Sequence, residues 1–387
     1  MVTGTAKIVV DLGNSETRVK TYYGKTPKGN PRCRLSVLSN RYARVPQHML
    51  ETYIEEGNYS QADSCIFEVN GDFYCNGRLC ANEFAQKDIA PSAIEKKYNS
   101  FVTKLALINA LHEGYMTVAD LANCDVNNLD IDLELYLLLP PEDVSFGAKK
   151  LSDMARSITE IKFFMPEMRK EVKIASVRVL PEGLCAFIGT VFQSKGAVRN
   201  GYAHLMDNNE STLVIDIGAG TTDFVLVRGA SVVQTSLFTR PIGGNNVSRM
   251  VQKSLSDRGL NLPVNIISRG CEVGYVITGS KKVDITENIA EAKQYVSSQL
   301  VNAVQAFFES SMIDINTINN ILVCGGGAEI PEEGSGVEPI STYILEYIRQ
   351  LCPYIQLIEI PYSQKDGERV RISPRMLNIT GAGILAE

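Results

Sequence analysis

Two acidic residues, Asp11 and Asp216, lie in matching tracts that combine a carboxylate with glycine and hydroxyl residues. Asp11 belongs to IVVDLGNSETRVKTYYG, and Asp216 belongs to VIDIGAGTTDFVLV. Three further pairs recur at the same spacing of 205 residues: Gly13 and Gly218, Thr17 and Thr222, and Gly24 and Gly229. An internal repeat without a gap predicts two structural units of one design.

Each tract predicts a hairpin with glycines at its tip. Glycines allow backbone N–H groups to approach a ligand closely, because no Cβ intervenes. Such amides form a concave anion site that suits phosphate. The hydroxyl groups of Ser15, Thr221 and Thr222 could add donors. The chemistry indicated is phosphate binding.

The acids at the matched positions indicate a metal ion. A carboxylate beside a phosphate cradle would repel the phosphate unless a cation lies between them. Asp11 and Asp216 therefore predict Mg²⁺, which is held by one or two carboxylates together with waters and substrate phosphates. Arg18 stands where the second tract has Asp223, so one half offers a cation and the other a further carboxylate. A lone Asp-x-Gly is a common turn, but the duplicated copy predicts a nucleotide cleft between two halves.

Two further segments fit the same chemistry. The run ILVCGGGAEIP contains Gly325, Gly326 and Gly327. Three consecutive glycines are costly in chain entropy, and they indicate either close approach of a flat nucleoside or a tight strand-to-helix turn. Glu182, in VLPEGLCAF, opens a predicted helix, where an acid can simply complement the helix dipole. Beside a phosphate cleft, it is the candidate to orient an attacking water.

The elements that position these residues follow an α/β pattern with mixed sheets. Asn70-Gly71 predicts a two-residue hairpin turn. Apolar residues at helical spacing predict a helix near 92–114 that stops at Gly114. A further helix is predicted over 181–195, because proline is favoured at a helix start. No Gly/Ser linker separates the halves, which favours two domains that pack together.

Composition excludes several other classes. The length of 387 residues accommodates two medium domains. A net charge of −6 argues against direct nucleic-acid binding. The nine cysteines include no C-x-x-C pair and the three histidines are scattered, which argues against zinc. We find no signal-peptide pattern and no apolar run of membrane-spanning length, and we therefore expect a soluble cytoplasmic protein without membrane contact.

Five segments together resemble, in order and spacing, the nucleotide-binding motifs of the actin superfamily. They are DLGNSETR, LPEGLCAF, DIGAGTTD, CGGGAEI and TGAGILAE. This superfamily includes actins, sugar kinases and DnaK-type chaperones. The resemblance implies an actin-like α/β fold of two related domains with mixed β-sheets and a nucleotide cleft between them. Domain I would span 1–180, with the C-terminal helix 371–387 packing back on it, and domain II would span 181–370.

The resemblance also implies roles for individual residues. Asp11 and Asp216 look like the acids that hold Mg²⁺ through water, and with Glu182, the water-orienting acid, they form the implied catalytic set. Arg18 stands where actins usually have a phosphate-contacting lysine. Gly325, Gly326 and Gly327 look like the adenosine-contacting loop. The remaining implied nucleotide-binding residues are Gly13, Asn14, Ser15, Gly218, Gly220, Thr221 and Thr222.

Within the superfamily, the LPEGLCAF and DIGAGTTD motifs look most like those of bacterial and plasmid ParM-type actins. This implies an ATPase that hydrolyses ATP (or GTP) with Mg²⁺ and assembles with itself into dynamic filaments. The implied task is plasmid DNA segregation through a DNA-binding adaptor protein. The alternatives are a non-polymerising actin-fold ATPase that acts as a regulator or chaperone-like binding module and, third, a small-metabolite kinase.

Overall fold

The chain divides into two compact units. The computed structural model describes residues 1–27, 29–55, 64–84, 89–90, 95–328, 338–365 and 368–387. Unit 1 comprises Met1–Leu139, Asp143–Leu180 and Leu385–Glu387, and unit 2 comprises Pro140–Glu142 and Pro181–Ile384. Within the described residues, no helix combines the length and the apolar character needed to cross a membrane.

Unit 1 is built on two sheets. Its strands in chain order are β1 (Val2–Leu12), β2 (Glu16–Lys25), β3 (Pro31–Ser39), β4 (Tyr42–Val45), β5 (Ser64–Val69), β6 (Asp72–Gly77), β7 (Leu129–Leu139), β8 (Glu160–Met165), β9 (Glu167–Glu171) and β10 (Lys173–Pro181). Its helices are α1 (Gln47–Glu55), α2 (Arg78–Glu83), α3 (Phe101–Ala122) and α4 (Pro141–Arg156), the last beginning in residues assigned to unit 2. The larger sheet has the order β10-β7-β1-β2-β3, and the smaller one has the order β4-β6-β5-β8-β9.

The two-residue hairpin turn predicted at Asn70-Gly71 is confirmed. Asn70 and Gly71 connect β5 to β6 with φ values of 55° and 85°. Positive φ at both central residues is the requirement of the two-residue turn that suits the right-handed twist of paired strands, and Asn-Gly meets it at little cost.

The predicted stop of α3 at Gly114 is wrong. The helix continues to Ala122 and ends where Asn123 adopts the left-handed conformation. Gly114 serves packing instead, because a Cβ there would overlap Cδ1 of Ile8 on β1. The glycine thus allows α3 to approach the buried sheet closely, and its low helix propensity is outweighed by that contact.

Unit 2 contains one large sheet and several helices. Its first elements are α5 (Leu184–Val191), β11 (Phe192–Ser194), β12 (Ala197–Val198), β13 (Ser211–Ile217), β14 (Thr222–Arg228), β15 (Ser231–Val232) and β16 (Phe238–Arg240). They are followed by α6 (Gly244–Asp257), α7 (Val264–Val273), β17 (Tyr275–Thr278), β18 (Lys281–Asp284) and α8 (Thr286–Ser311). The last elements are β19 (Asn320–Cys324), α9 (Ile340–Leu351), β20 (Gln356–Leu357), β21 (Tyr362–Lys365), β22 (Glu368–Arg371) and α10 (Leu377–Ala386).

The repeat seen in the sequence reappears in the sheets. In unit 1, β1 pairs antiparallel with β2 and parallel with β7. In unit 2, β13 pairs antiparallel with β14 and parallel with β19, in the sheet order β15-β14-β13-β19-β20. Each unit therefore has a central strand that leads into a hairpin on one side and has a parallel neighbour on the other.

The C-terminal helix requires a correction to the predicted domain limits. The resemblance implies that 371–387 packs back on the first domain, whereas residues up to Ile384 group with unit 2 and only Leu385–Glu387 group with unit 1. The reason is a close helix crossing in unit 2, where a Cβ at Gly381 of α10 would overlap the carbonyl oxygen of Cys185 in α5. In unit 1, Lys7 Nζ donates to the carbonyl oxygen of Ala386 at 2.6 Å.

Candidate functional site

The loop between β1 and β2 begins with a glycine that the backbone requires. A Cβ at Gly13 would lie 2.6 Å from the carbonyl oxygen of Glu16. The Gly13 amide donates to the carbonyl oxygen of Asp11 at 3.2 Å. The next two amides, of Asn14 and Ser15, donate no hydrogen bond to the described part of the chain. These two N–H groups could donate hydrogen bonds to an anion.

Asn40, just after β3, holds this loop in place through hydrogen bonds. Its side-chain amide donates to the carbonyl oxygen of Gly13, and its backbone amide donates to the carbonyl oxygen of Ser15 at 3.1 Å. Its Oδ1 accepts from Thr17 Oγ1 at 2.6 Å. Asn40 is buried, so these bonds fix the loop with its carbonyl groups occupied. This role of Asn40 was not predicted from the sequence.

The matching loop between β13 and β14 is held in place by hydrogen bonds from a helix. The carbonyl oxygens of Gly218 and Ala219 accept from the amides of Gly244 at 3.0 Å and Asn245 at 2.7 Å, in the first turn of α6. This approach needs Gly243, since a Cβ there would lie 2.5 Å from the carbonyl oxygen of Gly218. The amides of Ala219 and Gly220 have no acceptor among the described residues.

The two threonines of this loop have different surroundings. The carbonyl oxygen of Thr221 accepts from the amide of Gly218 at 2.8 Å, which closes the turn. The hydroxyl of Thr222 donates to the carbonyl oxygen of Ile242 at 2.7 Å. The Thr222 hydroxyl proton is therefore committed within unit 2, and this side chain anchors the loop.

The two acids have opposite neighbours across their hairpins. Asp11 lies opposite Arg18, and Arg18 Nη1 donates to Asp11 Oδ2 at 3.1 Å. The other Nη of Arg18 pairs with Glu16 at 3.2 Å. The guanidinium of Arg18 thus balances two carboxylates. Its buried Nε has no hydrogen-bond partner among the described residues.

In unit 2 the corresponding position is a second carboxylate. Asp216 lies opposite Asp223, and both are buried. Asn378 Nδ2 donates to Asp216 Oδ2 at 2.5 Å, and Thr239 Oγ1 donates to Asp223 Oδ1 at 2.6 Å. These neutral donors orient the two carboxylates but do not neutralise like charges that face each other on neighbouring strands.

The two carboxylates affect the pKa of a buried cysteine beside them. Cys324 on β19 is paired with Asp216 in the sheet. Burial raises the pKa of the Cys324 thiol well above its ordinary value, and the charges of Asp216 and Asp223 raise it further. Two adjacent buried carboxylates are a setting that a cation would stabilise.

The donor set fits Mg²⁺ in particular. The described residues contain no cluster of three or more His, Cys, Asp or Glu side chains that could enclose a metal ion. Mg²⁺ needs no such cage, because it keeps several waters and is bound through one or two carboxylates plus phosphate oxygens. Asp11 and Asp216 supply carboxylates of this kind, each beside a loop with unused amides.

Glu182 lies in a turn before α5, which corrects the predicted helix start. The predicted helix over 181–195 is α5 at Leu184–Val191, and its first turn holds no acid. Gly183 has a φ of 70°, and a Cβ there would lie 2.8 Å from Cγ2 of Val225. The amide of Leu184 donates to the carbonyl oxygen of Glu182 at 2.7 Å. Complementing the helix dipole from the first turn therefore does not explain this acid.

The three glycines after β19 have distinct roles. Gly325 has a φ of 89°, and a Cβ there would overlap Asp216 Oδ1. The amide of Gly327 donates to the carbonyl oxygen of Ile217 at 2.7 Å, and its Cβ would lie 2.8 Å from the carbonyl oxygen of Gly218. A Cβ at Gly326 would be only in ordinary contact, at 3.6 Å from Cβ of Arg375. Packing on the β13 loop thus requires two of the three. Glu329 and Ile330 of this motif lie outside the described residues.

The structure brings the candidates together in two groups. In unit 1, Asp11 and Arg18 flank the loop of Gly13, Asn14 and Ser15. In unit 2, the end of β13 gathers the second group, which consists of Asp216, Gly218, Gly220, Thr221, Thr222, Gly325, Gly326, Gly327 and, through Asn378, the turn of Glu182. Sequence reasoning also missed Asn378, although a polar residue within the apolar run MLNITGAGIL was a usable signal.

Comparison with known structures defines the class. Chains of the actin-like fold match over nearly all of this chain. They include a ParM from Clostridium botulinum in a 15-stranded filament, with a TM-score of 0.65, 19% identity and 98% of each chain covered. An archaeal actin homologue, Ta0583, in complex with ADP, has a TM-score of 0.61 and 14% identity, with 99% of this chain and 97% of that chain covered. The protein therefore has the actin-like fold that the sequence resemblance implies.

Sequence comparison agrees over part of the chain. Residues 214–333 match the family model of archaeal actin homologue MreB-like, C-terminal. The actin-like protein MamK of Paramagnetospirillum magneticum is 23% identical over 163 residues. The match covers 37% of this chain and 45% of MamK, so it spans less than half of that relative's length.

Proposed function

We propose that this protein is an actin-like ATPase that assembles with itself into dynamic filaments in response to nucleotide. The observation that carries the proposal is the duplicated hairpin. In each unit, a buried strand carries an acid near its end and leads into a glycine loop. Two carbonyl groups of the loop accept hydrogen bonds from the protein, and two amides of the loop donate to no described residue. Such amides favour phosphate oxygens, and we propose that each loop binds nucleotide phosphate.

The similar proteins support this proposal. The ParM neighbour is a filament, and the archaeal neighbour holds ADP. A shared fold by itself does not imply a shared function. The support is therefore the combination of this fold with acids and phosphate-type loops at matched places in both units.

Each candidate residue then has a proposed task. Asp11 and Asp216 hold Mg²⁺, which would neutralise phosphate charge. The amides of Asn14, Ser15, Ala219 and Gly220 bind phosphate oxygens, and Gly326 leaves room beside the nucleoside. Glu182 orients the water that attacks the γ-phosphate, and positioning of this kind is the main protein contribution to phosphoryl transfer. Arg18 orients the carboxylate of Asp11.

For the cellular role we propose plasmid DNA segregation in the cytoplasm. The net charge of −6 disfavours direct contact with DNA, so a DNA-binding adaptor protein would connect the filament to its cargo. Another cytoskeletal task of the same filament is the alternative outcome.

The experiment is to mix the purified protein with Mg-ATP, Mg-GTP or Mg-ADP and to record light scattering and phosphate release together. We expect scattering to rise with a triphosphate and to decay as phosphate appears, and the faster response identifies the preferred base. Filament growth depends on nucleotide only if the filament favours one nucleotide state over the other.

Two other outcomes would contradict the proposal in different ways. Phosphate release without scattering over a wide protein concentration range would indicate a non-polymerising regulator or chaperone-like module. Transfer of phosphate to an added small metabolite would indicate a kinase.

A further inference from the structure

One side chain in unit 2 connects two candidate residues that are far apart in the sequence. Asn378 Nδ2 donates to Asp216 Oδ2 at 2.5 Å, and Asn378 Oδ1 accepts from the amide of Gly183 at 3.1 Å. Gly183 directly follows Glu182. A single amide group therefore contacts both the acid proposed to hold Mg²⁺ and the turn that carries the acid proposed to orient water.

The chemistry of these two contacts suits an amide. The carboxylate of Asp216 needs a donor, and the backbone N–H of Gly183 needs an acceptor. A primary amide offers both from one planar group, whereas a carboxylate side chain offers only acceptors when ionised. Aspartate at 378 would keep the contact with Gly183 and lose the donor to Asp216.

The backbone around Asn378 is held by close packing. A Cβ at Gly189 in α5 would overlap the carbonyl oxygen of Leu377, and a Cβ at Gly381 would overlap that of Cys185. The two helices thus meet backbone to backbone on either side of position 378. Since protein interiors are close-packed, such a crossing resists displacement, and the amide of Asn378 has a fixed position.

The turn at Gly183 is equally constrained. Its φ of 70° and its contact distance to Val225 exclude a side chain. The amide of Phe187 donates to the Gly183 carbonyl oxygen at 2.9 Å. The bond to Asn378 connects this turn to the carboxylate of Asp216.

We propose that Asn378 is a positioning residue that holds Asp216 and the Glu182 turn in the relative arrangement that hydrolysis needs. This inference rests on the proposed ATPase function and assigns it a residue outside the loops and acids already described. Side chains that orient metal-binding carboxylates typically affect metal affinity or activity by about 10–100-fold when they are replaced.

Asn378→Ala removes both contacts, and Asn378→Asp removes only the donor to Asp216. The matched controls are Asn320→Ala and Asn320→Asp. Asn320 is a buried asparagine in the same unit whose Nδ2 donates to Glu210 Oε2 at 2.7 Å, at the opposite end of β19 from Cys324. Each control therefore removes a comparable, partly buried amide–carboxylate bond away from the candidate site.

Three quantities are measured for each full-length variant: the apo unfolding temperature, the affinity for a fluorescent ATP analogue with Mg²⁺ and with EDTA, and the turnover rate of phosphate release. We expect the controls to lower the unfolding temperature with little change in turnover. We expect both Asn378 variants to reduce turnover by about 10–100-fold. In Asn378→Ala, the gain in affinity caused by Mg²⁺ should also fall about tenfold, while affinity in EDTA stays near that of the wild type.

The outcomes separate this inference from the function on which it rests. If the wild type hydrolyses nucleotide and both Asn378 variants retain turnover within twofold of their Asn320 controls, the positioning role is wrong and the ATPase function stands. If the wild type neither binds Mg-nucleotide nor releases phosphate, both are wrong. Should Asn378→Ala fail to fold, the turnover of Asn378→Asp alone decides.

Discussion

At the scale of single residues, Arg18 and Asp223 show how one substitution within a repeat changes the electrostatics of a site. Both stand directly across the hairpin from the acid that the repeat shares, and Arg18 balances Asp11 while Asp223 adds charge beside Asp216. The position opposite the acid thus carries a positive charge in unit 1 and a negative charge in unit 2.

For Glu182, we expect Glu182→Ala to slow phosphate release by about 10²–10⁴-fold, the range typical of removing a positioned acid–base group. Filaments should still form with a triphosphate and should persist, because their decay would follow hydrolysis. The measurement is scattering and phosphate release in one sample. Glu167→Ala, which removes an exposed acid on β9, is the control. Filaments of Glu182→Ala that decay at the normal rate would contradict the assigned role.

His112 gives a prediction about acid stability. Its ring stacks on Phe163 with 4.0 Å between centroids, and burial lowers its pKa from 6.5 to about 4. The unfolded chain then binds the proton at higher pH than the folded chain does. Stability is thus present above pH 6.5 and is lost as the pH falls towards 4, by up to about 3 kcal/mol.

The test of this prediction is urea unfolding of the wild type and of His112→Gln between pH 7 and pH 4. The variant loses the ring contact and should be less stable at pH 7, but its stability should fall less steeply as the pH is lowered. Parallel pH profiles for the two proteins would show that His112 does not titrate as expected.

At the scale of elements, the same loop design is supported in two ways. In unit 1 two loop carbonyls accept from one residue, Asn40, through its side-chain and backbone amides, and in unit 2 they accept from the first turn of α6. A helix N-terminus offers free N–H groups in a row, whereas Asn40 offers one side-chain amide and its own backbone. The two units therefore share the hairpin and differ in the groups that donate hydrogen bonds to its loop.

The crossing of α5 and α10 gives a prediction at this scale. Gly381→Ala would force a methyl group into the backbone of α5, and we expect a loss of at least about 3 kcal/mol in the free energy of unfolding, at the upper end of overpacking effects. Gly114→Ala is the matched control, because its nearest contact would be Cδ1, at the end of the Ile8 side chain, and not backbone. Its change should stay within about 1 kcal/mol, since alanine also favours a helix.

Chemical denaturation of both glycine variants checks this expectation. Equal stabilities for the two would mean that α5 and α10 can separate at little cost, and the fixed position assigned to Asn378 would lose its basis.

At the scale of the whole molecule, each unit has its own buried core. In unit 1, residues such as Ile8 and Leu137 belong to one cluster, and in unit 2, Ile215 and Ile321 belong to another. Domains with separate cores can unfold as separate units.

We therefore expect calorimetry of the nucleotide-free protein to resolve two transitions. Ile8→Ala should lower one of them and Ile321→Ala the other, because each removes a fully buried side chain and should cost about 2–5 kcal/mol. A single transition that both variants lower equally would show that the units unfold together.

The sequence by itself determined the features that depend on neighbouring residues. The repeat of acid, glycine and threonine, the Asn70-Gly71 turn and the superfamily resemblance all follow from residue types at short spacing, because backbone sterics and strand pairing act locally. The same reasoning located Asp11, Asp216 and the glycine loops at the ends of strands, where the structure has them.

Only the tertiary structure decided which distant groups meet. Asn378 contacts Asp216 across 162 positions, Gly381 packs against Cys185, and α3 continues past Gly114 because Ile8 lies beside it. The neighbouring sequence does not show which residue Asn378, Gly381 or Gly114 contacts, because the packing of elements that are remote in the chain decides it. For this reason, the residues that could bind nucleotide were readable from the sequence, whereas those that hold them in place were not.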